Sequence, residues 1–213
     1  MTRVRVKICG LTRAQDVAAA VAGGADALGF NCYDRSPRFV DSEQLELLAR
    51  AVPPFVTSTL LFVNAPASDV RRALERVPQA LLQFHGDEDE RYCASFGRPY
   101  IRAVSMGEGV DLLDCERRFA SSSALLVDTP TAGYGGSGEA FDWRRLPGAA
   151  ERRKPLVLAG GLTEQNVAAA IAAVQPYAVD VSSGVESNVK GIKDPARIER
   201  FIAAVAAAQR AFP

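Results

Sequence analysis

The chain has 213 residues, and its 25 lysines and arginines are balanced by 25 aspartates and glutamates. A hydrophobic content of 48% suits a globular protein that buries a core of its own, which excludes a disordered tail or a fibre. Zero formal charge argues against nucleic acid as the main partner, and no run approaches the ~20 apolar residues that span a bilayer.

Eight short apolar runs recur along the chain: 4–8, 27–30, 58–63, 81–84, 100–104, 125–127, 156–158 and 178–181. Their length and their β-branched or aromatic content predict strands. Helical patterns lie between them. Thr12 with Gln15 reads as a capping box, and Gly23-Gly24 stops that helix. Asp41 caps the next, whose apolar face is Leu45, Leu48, Ala49 and Val52. Val70, Ala73, Leu74 and Val77 repeat the spacing, as do Val167, Ala170, Ile171 and Val174. Asp194-Pro195 opens a last helix with Ile198, Phe201, Ile202 and Val205 on one face. Segments near 88–96 and 110–119 and after Phe141 carry weaker helical patterns. Eight strands alternating with about eight helices, with no linker, predict one α/β domain over residues 1–213, a single (β/α)₈ TIM barrel.

In such a barrel the chemistry sits at the C-terminal ends of the strands. That rule selects Cys9, the segment Asn31 to Arg38, Asn64, His85, Arg102, Asp128, Gly160-Gly161 and Ser182-Ser183-Gly184. The two small-residue loops after the seventh and eighth strands are placed to hold a phosphate on backbone N–H groups. Lys7 and Cys9 share a face of the first strand. Lysine under the outer helices would be costly, so that face points inward and Cys9 reaches the mouth. The Lys7 ammonium would lower the thiol pKa, and Asp180 on the adjacent eighth strand is its candidate partner. Asp128 either caps the turn at Thr129-Pro130 or, facing Cys9 across the mouth, forms with it a general acid and base pair. Arg38, after Pro37, has the planar fork that grips a carboxylate. His85 reads as a base or as a structural cap. The glycine-rich stretch around Gly136 reads as a lid or a second phosphate contact. Cys32, Cys93 and Cys115 lack such placement and read as structural. With no C-x-x-C pair and one histidine, a metal site is hard to build, and the protein reads as cytoplasmic with reduced thiols.

Taken in order, Lys7-Ile8-Cys9-Gly10-Leu11-Thr12, Ser36-Pro37-Arg38, Phe62-Val63-Asn64, Gln83-Phe84-His85-Gly86, Val127-Asp128-Thr129, Gly135-Gly136-Ser137-Gly138 with Phe141-Asp142-Trp143, Ala159-Gly160-Gly161-Leu162 and Asp180-Val181-Ser182-Ser183-Gly184-Val185-Glu186 resemble the phosphoribosylanthranilate isomerases of tryptophan biosynthesis. The resemblance runs nearly end to end. It implies a barrel that works without metal or organic cofactor on a phosphosugar, N-(5-phosphoribosyl)anthranilate, and turns it into 1-(2-carboxyphenylamino)-1-deoxyribulose 5-phosphate by an Amadori rearrangement. It implies Cys9 as general base, Asp128 as general acid, Arg38 near the anthranilate carboxylate, and the loops after strands seven and eight on the phosphate. Burial would favour protonated Asp128, and the pair implies a bell-shaped pH profile.

Two positions depart from the pattern. Ser137 stands in place of threonine, and Asn31-Cys32 stands in place of a more apolar pair at the pocket floor. The rival readings are another phosphosugar isomerase or epimerase, or an indole-glycerol-phosphate synthase. Both lack support here, since the chain has one histidine and no motif supplying a lysine acid at the mouth. A relative that also accepts the histidine-pathway substrate pairs two aspartates, and here one position is Cys9. A non-catalytic phosphosugar-binding barrel would not need Cys9 and Asp128 together. The outer helices show no extra apolar patch, which predicts a monomer.

Overall fold

Residues 3–130 and 141–211 are described by the computed structural model. Eight parallel strands close into a barrel in the order of the chain: β1 (Arg5–Cys9), β2 (Ala27–Asn31), β3 (Thr57–Phe62), β4 (Leu81–Phe84), β5 (Tyr100–Ser105), β6 (Ala124–Asp128), β7 (Leu156–Leu158) and β8 (Ala178–Val181). Each lies within a residue or two of its apolar run. Around them, among the described residues, lie α1 (Ala14–Ala22), α2 (Ser42–Arg50), α3 (Ala67–Arg76), α4 (Glu90–Ala94), α5 (Leu112–Arg118), α6 (Val167–Val174) and α7 (Pro195–Ala211). Between β6 and β7 the described chain holds only a 3₁₀ turn, Trp143–Arg145, where the weak pattern after Phe141 predicted a helix.

Strand alternation sorts the side chains into two cores. Val6, Ile8, Leu82, Phe84, Val104, Leu125, Val127, Val179 and Val181 point outward and bury against the helices. Ile101, Ala103, Ala124, Leu126, Val157, Ala159 and Ala178 fill the interior. Asp128 shares the inward face of β6 with Ala124 and Leu126, so its carboxyl enters the mouth. Lys7 and Cys9 alternate with outward Val6 and Ile8 and enter the same space. Arg102 lies on the outward face of β5. Its guanidinium donates to the carbonyls of Phe84 and Gly86 and to Glu88 and sits over the Phe119 ring, so this strand-end residue braces the wall and does not line the mouth.

Two local signals behave as expected. Asp41 accepts from the N–H groups of Glu43 and Gln44, and Asp194 from those of Ala196 and Arg197. The capping box does not form. α1 starts at Ala14 after Arg13 with no side-chain cap, because the Thr12 hydroxyl donates instead to the Gly191 carbonyl at 2.7 Å. A tertiary acceptor has outcompeted the local one, and the bond ties the first helix to the segment before the last.

At the opposite, N-terminal end of the barrel, Phe55 is wholly exposed with φ of 70°. It and the half-exposed Tyr177 line a cavity of about 370 Å³. This patch lies on the barrel's bottom face and not on its outer helices.

Candidate active site

The mouth is built from the ends of β1, β4, β6, β7 and β8 and the loop after β2. On β1, Cys9 is nearly buried. Its neighbour in the β1–β2 register is Gly29, and this glycine makes the room. A Cβ there would fall 2.7 Å from Cys9 Sγ and 3.1 Å from Lys7 Nζ. Lys7 is paired across the β1–β8 register with Asp180, Nζ to Oδ1 at 3.0 Å, both side chains almost fully buried. Burial disfavours the Lys7 ammonium, but Asp180 and Cys9 outweigh it and hold the group well above the ordinary lysine range. For Cys9 the balance runs the other way. Burial pushes the thiol up, and the nearby ammonium of Lys7 offsets this only in part, so the expected lowering by Lys7 is a counterweight and not the net result.

Asp128, the last residue of β6, stands two strands beyond β8, with β7 and β8 between it and β1. Its Oδ1 accepts the Thr129 N–H at 2.8 Å, as the turn-cap reading required. Its Oδ2 lies 3.3 Å from His85 Nε2. His85 Nδ1 in turn lies 3.2 Å from Gln83 Nε2, on the inward face of β4. His85 is therefore a bracket for the Asp128 carboxyl rather than an isolated cap.

Gly160 follows β7 with φ of 84°, a conformation that favours glycine. A Cβ there would lie 2.7 Å from the Thr129 nitrogen and 3.0 Å from Asp128 Oδ1, with the Thr129 hydroxyl closer still. Gly160 thus lets the β7 loop close against Asp128. Gly161 is also left-handed, and its carbonyl accepts from Asn166 Nδ2. The helix placed near Thr163 starts four residues later, at Val167, because Asn166 first closes a turn on the Thr163 N–H at 2.8 Å. After β8, Ser183–Val185 form a 3₁₀ turn, and a Cβ on Gly184 would strike the Leu162 carbonyl, so the two small-residue loops are packed together. Gly136 lies outside the described residues.

Arg38 is buried beside this loop. Its Nε and Nη2 donate to the two carboxylate oxygens of Glu186 at 2.6 and 2.9 Å, a bidentate pair that locks the plane of the guanidinium. Nη1 and the second Nη2 hydrogen are the donors this pair does not use. Asn31, expected to alter the pocket floor, instead organises the approach to Arg38. Its Oδ1 accepts the Tyr33 N–H and its Nδ2 donates to the Ser36 hydroxyl, which also accepts the Arg38 N–H. Cys32 packs on the outer core, and burial pushes its thiol up to about 12. Asn64 is held by the next loop, its N–H donating to Glu88 and its Nδ2 to Asp87, so it joins loops outside the mouth.

Sequence reasoning assigned no role to Glu186 or Lys193. Lys193 is fully buried, and its Nζ donates to the Ser182 carbonyl, the Ser182 hydroxyl and Glu186 Oε1 at 3.0–3.2 Å. The signals available were a lysine just before the Asp194-Pro195 helix start and a glutamate closing the eighth motif; neither has local periodicity to flag it.

The arrangement is a thiol and a carboxyl in one mouth, with a fixed arginine and two glycine- or serine-bearing loops beside them. A family profile described as N-(5'phosphoribosyl)anthranilate (PRA) isomerase matches residues 6–204. The N-(5'-phosphoribosyl)anthranilate isomerase of Leptothrix cholodnii is 53% identical over 95% of this chain and 91% of its own. The crystal structure of phosphoribosyl anthranilate isomerase from Thermus thermophilus superposes with a TM-score of 0.84 at 32% identity, over 96% of this chain and 99% of that one. A phosphoribosyl anthranilate isomerase in complex with reduced 1-(o-carboxyphenylamino)-1-deoxyribulose 5-phosphate superposes with a TM-score of 0.78 at 34% identity, over the same shares. Matched along nearly its whole length, the chain belongs to the N-(5'-phosphoribosyl)anthranilate isomerase family.

Proposed function

We propose that the family's reaction, the conversion of N-(5'-phosphoribosyl)anthranilate to 1-(2-carboxyphenylamino)-1-deoxyribulose 5-phosphate in tryptophan biosynthesis, runs here with Asp128 as general acid and Cys9 as general base. The supporting observation is that both groups enter one mouth from inward positions at the ends of β6 and β1, each with its own bracket, His85 for Asp128 and Lys7 with Asp180 for Cys9. Asp128 delivers its proton to the ribose ring oxygen while the C1′–O bond breaks and the anilino nitrogen pair forms the Schiff base. Cys9 thiolate then takes the proton from C2′. The C–H electrons form the C1′–C2′ double bond and neutralise the iminium nitrogen, leaving an enolamine that tautomerises to the ketone. Arg38 holds the anthranilate carboxylate with the donors Glu186 does not use. The loops at Gly160-Gly161 and Ser182-Ser183-Gly184 hold the phosphate, and the small residues let the backbone approach it.

The test is the decay of substrate fluorescence, with phosphoribosylanthranilate made in situ and the purified chain added. Enzyme-dependent decay to the deoxyribulose phosphate is expected. A folded chain that binds the reduced product analogue and gives no decay would place it among non-catalytic phosphosugar-binding barrels.

Gly160→Ala should lower kcat by about tenfold or more, since a methyl there pushes on Asp128 and Thr129 and small misplacements of a catalytic group are costly. It should also cost about 1–2 kcal/mol from the left-handed backbone. Steady-state kinetics with urea unfolding checks both; an alanine variant with wild-type kcat would free Gly160 of this duty.

Among the described residues no helix is long and apolar enough to cross a membrane, and all four cysteines are free. We propose a cytoplasmic enzyme that works as a monomer. Sedimentation of wild type and Phe55→Ser checks the latter. One species of barrel mass is expected from both, whereas a dimer lost on Phe55→Ser would make the bottom face an interface.

A further inference from the structure

The charges buried around Cys9 do not balance. From β1 comes Lys7, from β8 Asp180, from the loop after β2 Arg38, and from the segment after β8 Glu186 and Lys193. Tyr33 packs against the small cluster that contains Cys9, and His85 with Asp128 forms a separate pair at the end of β6. Asp16, fully buried nearby, accepts the Lys193 N–H and is matched by the Arg13 guanidinium. Lys7 is matched by Asp180 and Arg38 by Glu186. Lys193 has no carboxylate of its own, because the one it touches is already held bidentately by Arg38. Three cations therefore face two carboxylates, and the remaining ionisable group among them is the Cys9 thiol.

Burial works against the Lys193 ammonium and lowers its pKa, while Glu186 favours the charged form. As an ammonium, its three N–H donors meet three acceptors, two of them a carbonyl and a carboxylate that can only accept. Gly10, directly after Cys9, joins the two regions. A Cβ on it would contact Arg38 and fall 3.1 Å from the Ser182 hydroxyl that Lys193 holds. We propose that Lys193 is a positioning residue for the reaction, whose uncompensated positive charge, buried beneath the β8 loop, holds Cys9 as the thiolate that the base role requires, with Glu186 setting how much of that charge Cys9 feels. The inference rests on Cys9 being the base. Burial, and after it the Asp180 carboxylate, drive the thiol up, and Lys193 joins Lys7 in opposing that rise. Such help is worth most where water is excluded, since the local dielectric is low.

A lysine that merely pinned the loop would not set the ionisation of Cys9, and the two substitutions Lys193→Met and Glu186→Gln separate the roles by sign. The readout is ultraviolet thiolate absorbance against pH, taken for each protein as the difference from its Cys9→Ser counterpart, with circular dichroism to confirm folding. Lys193→Met should raise the Cys9 midpoint by about one unit, a tenfold loss of thiolate below the midpoint. Glu186→Gln should lower it by a similar amount. Unchanged midpoints, or shifts of the same sign, overturn the proposal, and either variant decides alone if the other does not fold. The titration needs no turnover. If Cys9 were not the base, the isomerase assay of Cys9→Ser would reveal it whatever these midpoints showed.

Discussion

Asp128→Asn should lower kcat by about 10²–10⁴-fold, the usual worth of a positioned acid. Asparagine keeps the shape of the side chain and an oxygen to accept the Thr129 N–H, so the turn at Thr129-Pro130 can persist. What it lacks is a transferable proton for the ring oxygen, and without that proton the C1′–O bond must break toward an alkoxide. The loss should fall on kcat, with KM changed little, because the phosphate and carboxylate contacts lie elsewhere in the mouth. Steady-state fluorescence assays measure this. A variant within a few-fold of wild type would show that ring opening proceeds without the β6 carboxyl.

Lys7→Met should be the most destabilising single change in the mouth, by about 3–5 kcal/mol, because it leaves Asp180 buried without its counter-charge. The pair itself is weak evidence of net stabilisation, since desolvating both charges offsets most of their attraction. Removing both should therefore restore much of the loss. Urea unfolding of Lys7→Met and of the double variant Lys7→Met/Asp180→Leu gives the comparison, and equal destabilisation of both would show that the lysine stem, not its charge, matters. The pH dependence has a definite sign. The Lys7 ammonium is held above its ordinary value of 10.5, so its contribution is complete below that pH and is lost as pH rises past it.

What was legible in the chain was whatever strand alternation governs. Inward Lys7, Cys9, Asp128 and Asp180 follow from their spacing against Val6, Ile8, Val127 and Val179, and the Lys7–Asp180 pair follows from β8 closing on β1. The Asp41 and Asp194 caps are local and were equally readable. Contacts made between loops, outside the strand register, were not. Thr12 reaches Gly191 and forgoes its capping box, while Arg38 reaches Glu186, 148 positions away, from another loop. The alternation rule also applies to Arg102, but strand-end position alone put it among the mouth residues. Its neighbours Ile101 and Ala103 face inward and turn Arg102 outward, but Tyr100 and Val104 are also apolar, so the sequence does not mark which set faces in. The state of the Cys9 thiol escaped for a different reason. Burial and neighbouring charge act in opposite directions there, and their balance depends on distances no sequence contains.

The central claim is that Cys9 performs chemistry rather than binding, and Cys9→Ser tests it most directly. Turnover of phosphoribosylanthranilate and equilibrium binding of reduced 1-(o-carboxyphenylamino)-1-deoxyribulose 5-phosphate should be measured on the same preparations of wild type and variant. The account predicts that kcat falls by about 10²–10⁴-fold while the analogue binds within about threefold of wild type, because a serine hydroxyl fills the same space but is not a base near neutral pH. A variant that turns over at close to the wild-type rate, or one that loses binding in step with kcat, would contradict it.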